Sequence, residues 1–404
     1  MNPLLNSLQA YPFERLRALF ATVTPSADHA PISLGIGEPR HPTPPLLMAA
    51  MQSATGALSS YPATGGLPQL RAASTDWLKR RYDIAVDPTT QCLPVNGSRE
   101  ALFAFAQVVI DASQAHQKRP LVVCPNPFYQ IYEGAALLAG AEPIFVPSDP
   151  ARNFAVDWTR VTPAQWAQTQ LLYVCSPGNP AGAVMPLEEW RYLFELSDQY
   201  GFVIASDECY SEIYFRDEAP LGGLQAAALL GRTDFRNLMM FTSLSKRSNA
   251  PGLRSGFVAG DAQLIKSFLL YRTYHGGAMS PMVQAGSIAA WNDEAHVIDN
   301  RAQYRDKFNA VTPVLERVMD VALPDAGFYL WAAVPAAFQG DDQRFAAELL
   351  AQYNVTVLPG SFLAREVAGQ NPGAGRIRMA LVAETAECLE AAHRISAFIE
   401  NYLN

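Results

Sequence analysis

The chain lacks the features that would direct it to a membrane or to nucleic acid. No apolar stretch approaches the roughly 20 residues that a membrane helix needs. The first residues, Met-Asn-Pro-Leu-Leu, are soon followed by Glu14 and Arg15, which is not the pattern of a secretory signal peptide. The formal net charge of -8 gives no electrostatic reason to expect nucleic acid as a partner. We therefore predict a cytoplasmic protein that binds neither a membrane nor nucleic acid.

Cysteine is scarce and scattered. The chain has five cysteines, Cys92, Cys124, Cys175, Cys209 and Cys388, and no two of them stand at the C-x-x-C spacing of metal sites and redox motifs. Most lie in apolar runs, where a buried and reduced thiol is the usual form. The sequence therefore predicts neither a disulfide framework nor a metal site.

Length and composition predict a compact chain with two domains. A chain of 404 residues exceeds what one hydrophobic core usually supports. An apolar fraction of 49% with 17% charged residues is typical of an ordinary globular protein and excludes a disordered one. We predict an N-terminal segment, residues 1–44, that joins the small domain, a large domain at 45–285 and a small C-terminal domain at 286–404.

Short apolar runs predict the central sheet of the large domain. Each is bounded by turn residues, and helical segments separate them: Leu121–Cys124, Leu171–Cys175, Phe202–Ala205 and Leu238–Phe241. Such runs suit strands buried on both faces of a mostly parallel sheet. We predict an α/β large domain with this sheet and a smaller α+β domain. Ligands bind beyond the carboxyl ends of parallel strands, so functional residues should directly follow these runs.

The segment after the fourth run contains a candidate nucleophile. Residues 243–246 read Ser-Leu-Ser-Lys, and Arg254 follows Lys246 by eight residues. Burial beside a strand lowers the pKa of a lysine and suits it to form a Schiff base. Two hydroxyls and a guanidinium are the donors that a phosphate monoester needs. Taken alone, a solvated lysine and arginine in a polar loop is the more common interpretation.

A carboxylate and a tyrosine follow the third run. Asp207 comes two residues after Ala205, and Tyr210 comes three residues later. A carboxylate at a strand end can pair with a protonated pyridine nitrogen, and a phenol can donate a hydrogen bond to an oxygen on the same ring. For Asp207 alone, a helix N-cap is an equally good interpretation.

Further candidates follow the other strands. Asn179 lies in a Pro- and Gly-rich turn after the second run, and Tyr129 follows the first run, where it can lie against a flat ring. Gly97, Ser98 and Arg99 open an apolar helix, whose first N–H groups can bind an anion. A tight turn, a core aromatic and plain helix capping are the alternative interpretations.

In this order, the segments resemble the fold-type-I pyridoxal-phosphate enzymes, specifically the class I and II aminotransferases. The resemblance extends from Leu34–Pro39 (Leu-Gly-Ile-Gly-Glu-Pro) to Arg378, nearly the whole chain. It implies that Lys246 carries pyridoxal 5'-phosphate as an imine and moves the substrate proton, and that Asp207 binds the pyridine nitrogen. The further cofactor contacts that it implies are Gly97, Ser98, Arg99, Tyr129, Asn179, Tyr210, Ser243, Ser245 and Arg254.

The same resemblance implies a substrate site and a dimer. Arg378 would grip the substrate α-carboxylate in a bidentate pair, and Gly37 would lie against the substrate. A surface arginine on an edge strand and a flexible turn are the alternatives for these two residues. Tyr61, in the sequence Tyr-Pro-Ala-Thr-Gly, would reach the cofactor phosphate of the neighbouring subunit, which requires a homodimer.

A closer resemblance concerns the substrate. Residues 2–5, 11–16 and 271–276 resemble segments of the N-succinyldiaminopimelate aminotransferases of lysine and diaminopimelate biosynthesis. This implies amino transfer between N-succinyl-L,L-diaminopimelate and 2-oxoglutarate, with glutamate and 2-oxoglutarate as the shared pair and with ping-pong kinetics. Arg272 and His275 are the candidates to bind the distal anionic groups of that substrate, and a structural or surface role is the alternative for each.

Other functions fit the same residues. An aminotransferase for aspartate, kynurenine or unsuccinylated diaminopimelate needs the same cofactor site, and a carbon–sulfur lyase can use the same scaffold. A non-catalytic ligand-sensing module is a further alternative. It is disfavoured because the sequence has no helix-turn-helix extension or basic region, and because a competent residue occupies every chemical position.

Overall fold

The computed structural model describes residues 1–113 and 118–403. Its strands are β1 (Ile32–Ser33), β2 (Cys92–Val95), β3 (Leu121–Asn126), β4 (Glu142–Asp149), β5 (Ala155–Val156), β6 (Thr169–Cys175), β7 (Val203–Asp207), β8 (Leu238–Ser243), β9 (Gly256–Gly260), β10 (Tyr329–Ala333), β11 (Val355–Thr356), β12 (Leu358–Pro359) and β13 (Arg376–Ala380). Its α-helices are α1 (Pro12–Phe20), α2 (Pro45–Ser53), α3 (Pro68–Tyr82), α4 (Ser98–Val109), α5 (Ile131–Leu138), α6 (Pro163–Trp166), α7 (Leu187–Tyr200), α8 (Gly223–Leu229), α9 (Leu244–Arg247), α10 (Ala262–His275), α11 (Pro281–Asn292), α12 (Ala295–Leu315), α13 (Asp342–Tyr353) and α14 (Thr385–Leu403).

Eight strands of the described chain form one large sheet in the order β2-β9-β8-β7-β6-β3-β4-β5. The four predicted apolar runs lie in β3, β6, β7 and β8, which are consecutive neighbours and all parallel. Every residue of β3, β7 and β8 is buried, because helices cover both faces of the sheet. The predicted α/β fold with a mostly parallel sheet is confirmed.

The register of the central strands sets the level of the functional residues. Cys175 of β6 pairs with Asp207 of β7, and Asp207 pairs with Phe241 of β8. The carboxyl ends of these strands therefore lie side by side. The segments that carry Asn179 and Lys246 consequently leave the sheet at the same edge as Asp207.

A smaller antiparallel sheet has the order β10-β13-β12 and packs with α12, α13 and α14. Strand β1 pairs with β11, with Ile32 opposite Val355, so the N-terminal segment joins this second core. Trp291 of α11 still packs in the core of the large sheet. The chain thus leaves that core after residue 292, a few residues beyond the boundary expected from the sequence, and the division into domains stays a prediction.

Proline starts five of the helices, namely α1, α2, α3, α6 and α11. The pyrrolidine ring presets the helical φ, and the N–H that proline lacks would have no partner in the first turn. These five prolines are therefore compatible with helix. Among the described residues, no helix combines the length and the apolar character needed to cross a bilayer.

Candidate active site

The carboxyl edge of the large sheet opens into a cavity of about 660 Å³ between the two cores. It brings together most of the residues that the sequence predicted. They are Gly37, Ser98, Arg99, Tyr129, Asn179, Asp207, Tyr210, Ser243, Ser245, Lys246, Arg254 and Arg378.

Lys246 lies in α9, the short helix that directly follows β8. Its Nζ donates a hydrogen bond to the main-chain oxygen of Gly37 at 3.0 Å and lies 5.1 Å from the centre of the Phe328 ring. Burial in this cavity lowers the pKa of Lys246 to about 8. A substantial fraction of this amine is therefore neutral, and so nucleophilic, near physiological pH.

Asp207 ends β7 and is almost completely buried. The hydroxyl of Tyr132 donates to Asp207 Oδ2 at 2.8 Å, and the N–H of Cys209 donates to Oδ1 at 3.3 Å. Burial raises the pKa of Asp207, while the hydrogen bonds from Cys209 and Tyr132 and the charge of Lys246 oppose that shift. The site thus contains a carboxylate that gains from a cationic partner, such as a protonated ring nitrogen.

Arg378 is a buried cation without a carboxylate partner among the described residues. Its Nη1 donates to Asn179 Oδ1 at 2.9 Å, its Nη2 donates to the oxygen of Gly35 at 3.2 Å, and its Nε has no partner in the described chain. The guanidinium lies 4.2 Å from the centre of the Tyr329 ring. Because β13 is the middle strand of its sheet, Arg378 is not a surface residue on an edge. A substrate carboxylate would supply the missing charge.

Hydroxyls and a guanidinium gather where α4 begins. The hydroxyl of Ser243 donates to Ser245 Oγ at 2.8 Å, and Arg254 lies against Gly97. Gly97 has φ +90°, and a Cβ there would come within 2.4 Å of Arg254 Nη2. With Ser98 and the first N–H groups of α4, these donors form a cradle that fits a phosphate monoester.

Arg99 was expected to bind the phosphate, and the structure places its side chain elsewhere. The guanidinium donates to the hydroxyls of Tyr129 and of Tyr11, the latter at 3.5 Å, on the exposed side of the cavity. These two tyrosines hold the guanidinium at the entrance of the cavity, and the role of Arg99 at the phosphate stays a prediction.

Three predicted residues, Arg272, His275 and Tyr61, lie away from the cavity. Arg272 is fully buried, and its guanidinium donates to both carboxylate oxygens of Glu100 at 2.6 and 2.7 Å and to the oxygen of Gly277. A guanidinium so enclosed cannot reach a substrate, so the prediction for Arg272 is corrected. His275 is half exposed and lies 3.8 Å from Glu100. Tyr61 is also outside the cavity and fully exposed, and its role stays a prediction.

Sequence reasoning missed several residues that build the site. Tyr329 and Glu38 line the cavity, and the hydroxyls of Tyr210 and Tyr329 are 3.0 Å apart. Tyr132, which holds Asp207, lies three residues after Tyr129, and this closeness in sequence is the signal that could have found it. No signal of this kind marks Tyr329, because it reaches the cavity from the second core.

A family model supports the assignment that this geometry suggests. The model described as "Aminotransferase class I and II" matches residues 30–395. The chain belongs to this family. Class I and II aminotransferases depend on pyridoxal phosphate, and the phosphate cradle, Asp207 and Lys246 fit that cofactor from its phosphate to its ring nitrogen and aldehyde.

Similar proteins agree with the family. An aminotransferase structure from Neisseria meningitidis Z2491 is 53% identical, with a TM-score of 0.94, over 99% of this chain and 100% of that one. The aminotransferase AspB from Helicobacter pylori 26695 is 33% identical, with a TM-score of 0.88, over 98% and 99%. An LL-diaminopimelate aminotransferase of Aquifex aeolicus is 31% identical over 90% of both chains. This aminotransferase therefore shares 90–99% of its length with proteins named as aminotransferases.

Proposed function

We propose that this aminotransferase exchanges an amino group between N-succinyl-L,L-diaminopimelate and 2-oxoglutarate, in the synthesis of diaminopimelate and lysine. The observation that carries the reaction type is the single cavity that holds Lys246, Asp207 and Arg378. The substrate rests on the resemblance of segments 2–5, 11–16 and 271–276 to that group of enzymes, and on the charge at the cavity entrance.

Each residue has a separate task in the proposed reaction. The cofactor supplies an aldehyde that bonds to amines and a ring that accepts electron density. Lys246 Nζ would hold the aldehyde between turnovers and, once the substrate amine has taken its place, would carry the proton from the substrate Cα to the cofactor carbon that bore the aldehyde. Asp207 keeps the ring nitrogen protonated, and Tyr210 donates to the ring oxygen. Asn179 would hold the same ring oxygen, and Arg378 would hold the α-carboxylate, which fixes the Cα–H bond relative to Nζ.

The entrance suits a substrate with a distal anion. Arg99 is exposed, is held by two tyrosine hydroxyls, and has no carboxylate partner among the described residues. The distal half of N-succinyl-L,L-diaminopimelate carries two carboxylates, whereas the distal end of free diaminopimelate carries one carboxylate and one ammonium group. A guanidinium without an acidic partner favours the more anionic of the two.

A second candidate is L,L-diaminopimelate itself. The curated relatives carry the name LL-diaminopimelate aminotransferase at 28–31% identity. Glu38 lines the same cavity as Arg99, and a carboxylate near a guanidinium would suit a distal ammonium beside a distal carboxylate.

Half-reaction kinetics with a donor panel test the function. The purified protein is mixed with N-succinyl-L,L-diaminopimelate, L,L-diaminopimelate, aspartate, kynurenine or glutamate, and the cofactor absorbance is followed. We expect the succinylated donor and glutamate to react fastest. Faster reaction of free diaminopimelate would favour the second candidate. The variant Lys246→Ala should be inactive, and an active variant would refute the assigned nucleophile.

The charge argument has its own test. The variant Arg99→Gln should raise KM for the succinylated donor about tenfold, the loss typical of one charge-assisted contact. KM for glutamate should change less, and Arg99→Lys should restore part of the difference. Equal effects on both donors would contradict a role at the distal end.

We also propose a homodimer in which Tyr61 of each chain reaches the other active site. Its ring is fully exposed here, and exposed apolar side chains lie nearby in sequence at Leu58 and Leu67. Burial of such side chains against a second copy would stabilise the pair.

A further inference from the structure

A buried asparagine holds the turn that carries Lys246. Asn300, in α12, is 2% exposed. Its Nδ2 donates to the main-chain oxygen of Lys246 at 3.3 Å, and its Oδ1 accepts from Asn249 Nδ2 at 2.8 Å. Because α9 has only four residues, its own hydrogen bonds fix the turn weakly, and a contact from a 21-residue helix adds rigidity that α9 lacks.

His41 connects Asn300 to the segment that holds the other end of Lys246. His41 Nδ1 lies 2.9 Å from Asn300 Oδ1, and Lys307 Nζ lies 2.9 Å from His41 Nε2. An ammonium group has donors alone, so Nε2 must accept and Nδ1 must carry the proton. Asn300 Oδ1 is then the acceptor of His41, and its Nδ2 points to Lys246. In this one arrangement, each hydrogen bond among Lys307, His41 and Asn300 joins a donor to an acceptor.

These contacts close a ring around the nucleophile. Lys246 Nζ donates to Gly37 O, Gly37 precedes His41 by four residues, His41 bonds to Asn300, and Asn300 bonds to the main chain of Lys246. We propose that His41 and Asn300 are positioning residues, which fix the direction in which Lys246 presents Nζ to the cofactor. This inference rests on the proposed role of Lys246.

A neighbouring group of side chains at the start of α12 supports a structural and not a second catalytic task for these residues. Asp293 Oδ2 lies 2.6 Å from His296 Nδ1, and His296 Nε2 lies 2.8 Å from Ser248 Oγ. These are the connections of a hydrolase triad. However, Ser248 is completely buried and Arg247 contacts its hydroxyl, so no substrate reaches it. His296 precedes Asn300 by one helical turn, and both therefore bind the turn that follows β8.

The test uses two substitutions of one residue in the holoenzyme. His41→Phe keeps an aromatic ring and removes the donor to Asn300, whereas His41→Asn keeps an amide N–H near the position of Nδ1. We expect His41→Phe to lower kcat about ten- to a hundredfold, as sub-ångström misplacement of a catalytic group does, with KM for glutamate within about twofold. We expect His41→Asn to recover most of kcat. The pH midpoint of the cofactor absorbance should shift in His41→Phe and return in His41→Asn.

Controls separate this proposal from a general loss of stability. Thr312, a buried residue of α12 whose hydroxyl has no partner in the described chain, gives the matched variant Thr312→Val, which should leave kcat and the absorbance midpoint unchanged. If His41→Phe does not fold, Asn300→Ala replaces it. An unchanged midpoint in the folded variant, or an equal shift in Thr312→Val, would overturn the proposal. Failure of borohydride to fix the cofactor to Lys246 would instead refute the proposed function.

Discussion

At the scale of single residues, burial decides the chemistry of Lys246. Since burial lowers the pKa of this amine to about 8, its neutral fraction rises steeply between pH 7 and pH 9. An unperturbed lysine has a pKa of about 10.4 and remains almost fully protonated over that range. In the apoprotein, an amine-acylating reagent in small excess should therefore label Lys246 increasingly from pH 7 to pH 9, with a midpoint near pH 8.

Site-resolved mass spectrometry measures this labelling. Lys266 of α10 is exposed and serves as the internal control for accessibility of the reagent. The labelling of Lys246 should level off above pH 9. If both lysines followed the same pH dependence after correction for reagent hydrolysis, the cavity would not perturb Lys246.

The hydroxyl of Tyr132 influences the pKa of the Asp207 carboxyl group. Its hydrogen bond stabilises the ionised carboxylate, so Tyr132→Phe should raise the pKa of Asp207 beyond the shift that burial already causes. A higher pKa leaves less carboxylate at low pH, and the acid limb of the kcat profile should move to higher pH. A hydrogen bond to a charged group contributes about 1.5–3 kcal/mol, so kcat should fall on the acid limb and be kept at higher pH.

Comparison of the pH profiles of wild type and Tyr132→Phe provides the measurement. Tyr173 stacks on Tyr132, but its hydroxyl donates to the oxygen of Leu102, so Tyr173→Phe is a matched control that should keep the wild-type acid limb. Superimposable profiles for wild type and Tyr132→Phe would contradict the tuning role.

The residues that could be predicted from sequence are those that directly follow strands. Lys246, Asp207 and Asn179 occupy such positions, and the rule for parallel sheets was sufficient to bring them together. Arg272 was misassigned because its burial depends on Glu100, which lies 172 positions earlier in the chain. Tyr329 was missed because it reaches the cavity from the second core. The spacing of residues along the sequence shows neither which distant carboxylate pairs with an arginine nor which side chains of the second core reach the cavity.

At the scale of elements, the start of α4 determines how the phosphate is held. Gly97 has φ +90°, and an added Cβ would lie 2.4 Å from Arg254 Nη2. Gly97→Ala should therefore displace Arg254 or the first turn of α4. The strained backbone costs about 1–3 kcal/mol, and we expect the dissociation constant of pyridoxal phosphate to rise at least about tenfold, as measured by absorbance titration of the apoprotein.

Gly201→Ala provides the comparison for backbone strain alone. Gly201 has φ +80° at the end of α7, and beyond its chain neighbours no atom of the described residues lies within 4 Å of an added Cβ. This variant should lose thermal stability but bind the cofactor as the wild type does. Equal weakening of cofactor binding by both substitutions would show that strain, and not contact with Arg254, is responsible.

Elements of the large sheet were also more predictable than those of the small one. A run of apolar residues marks β3, β6, β7 and β8, because both faces of each strand are buried. By contrast, β11 and β12 have two residues each, and β12 is held in place by its pairing with β13. Pairing between strands that are far apart in the chain leaves no local sequence pattern. The sequence therefore predicted an α+β small domain but not its individual strands.

At the scale of the whole molecule, the active site depends on two cores and, in our proposal, on two chains. Gly37 and Arg378 come from the smaller core, whereas Lys246 and Asp207 come from the larger one. Relative movement of the cores would change the distance between the carboxylate site and Nζ. The contact of Lys246 with Gly37 O and the contact of Arg378 with Asn179 are the two hydrogen bonds that would report such movement.

Subunit complementation decides whether Tyr61 serves the neighbouring chain. Lys246→Ala and Tyr61→Ala should each have little activity as homodimers, the first because it lacks the nucleophile and the second because the phosphate loses a contact. When equal amounts are unfolded and refolded together, half of the dimers carry one chain of each kind. If Tyr61 acts across the interface, one of the two sites in each mixed dimer has both residues intact, so activity should recover to about a quarter of wild type. If Tyr61 acts within its own chain, every site lacks one of the two residues, and mixing should restore nothing.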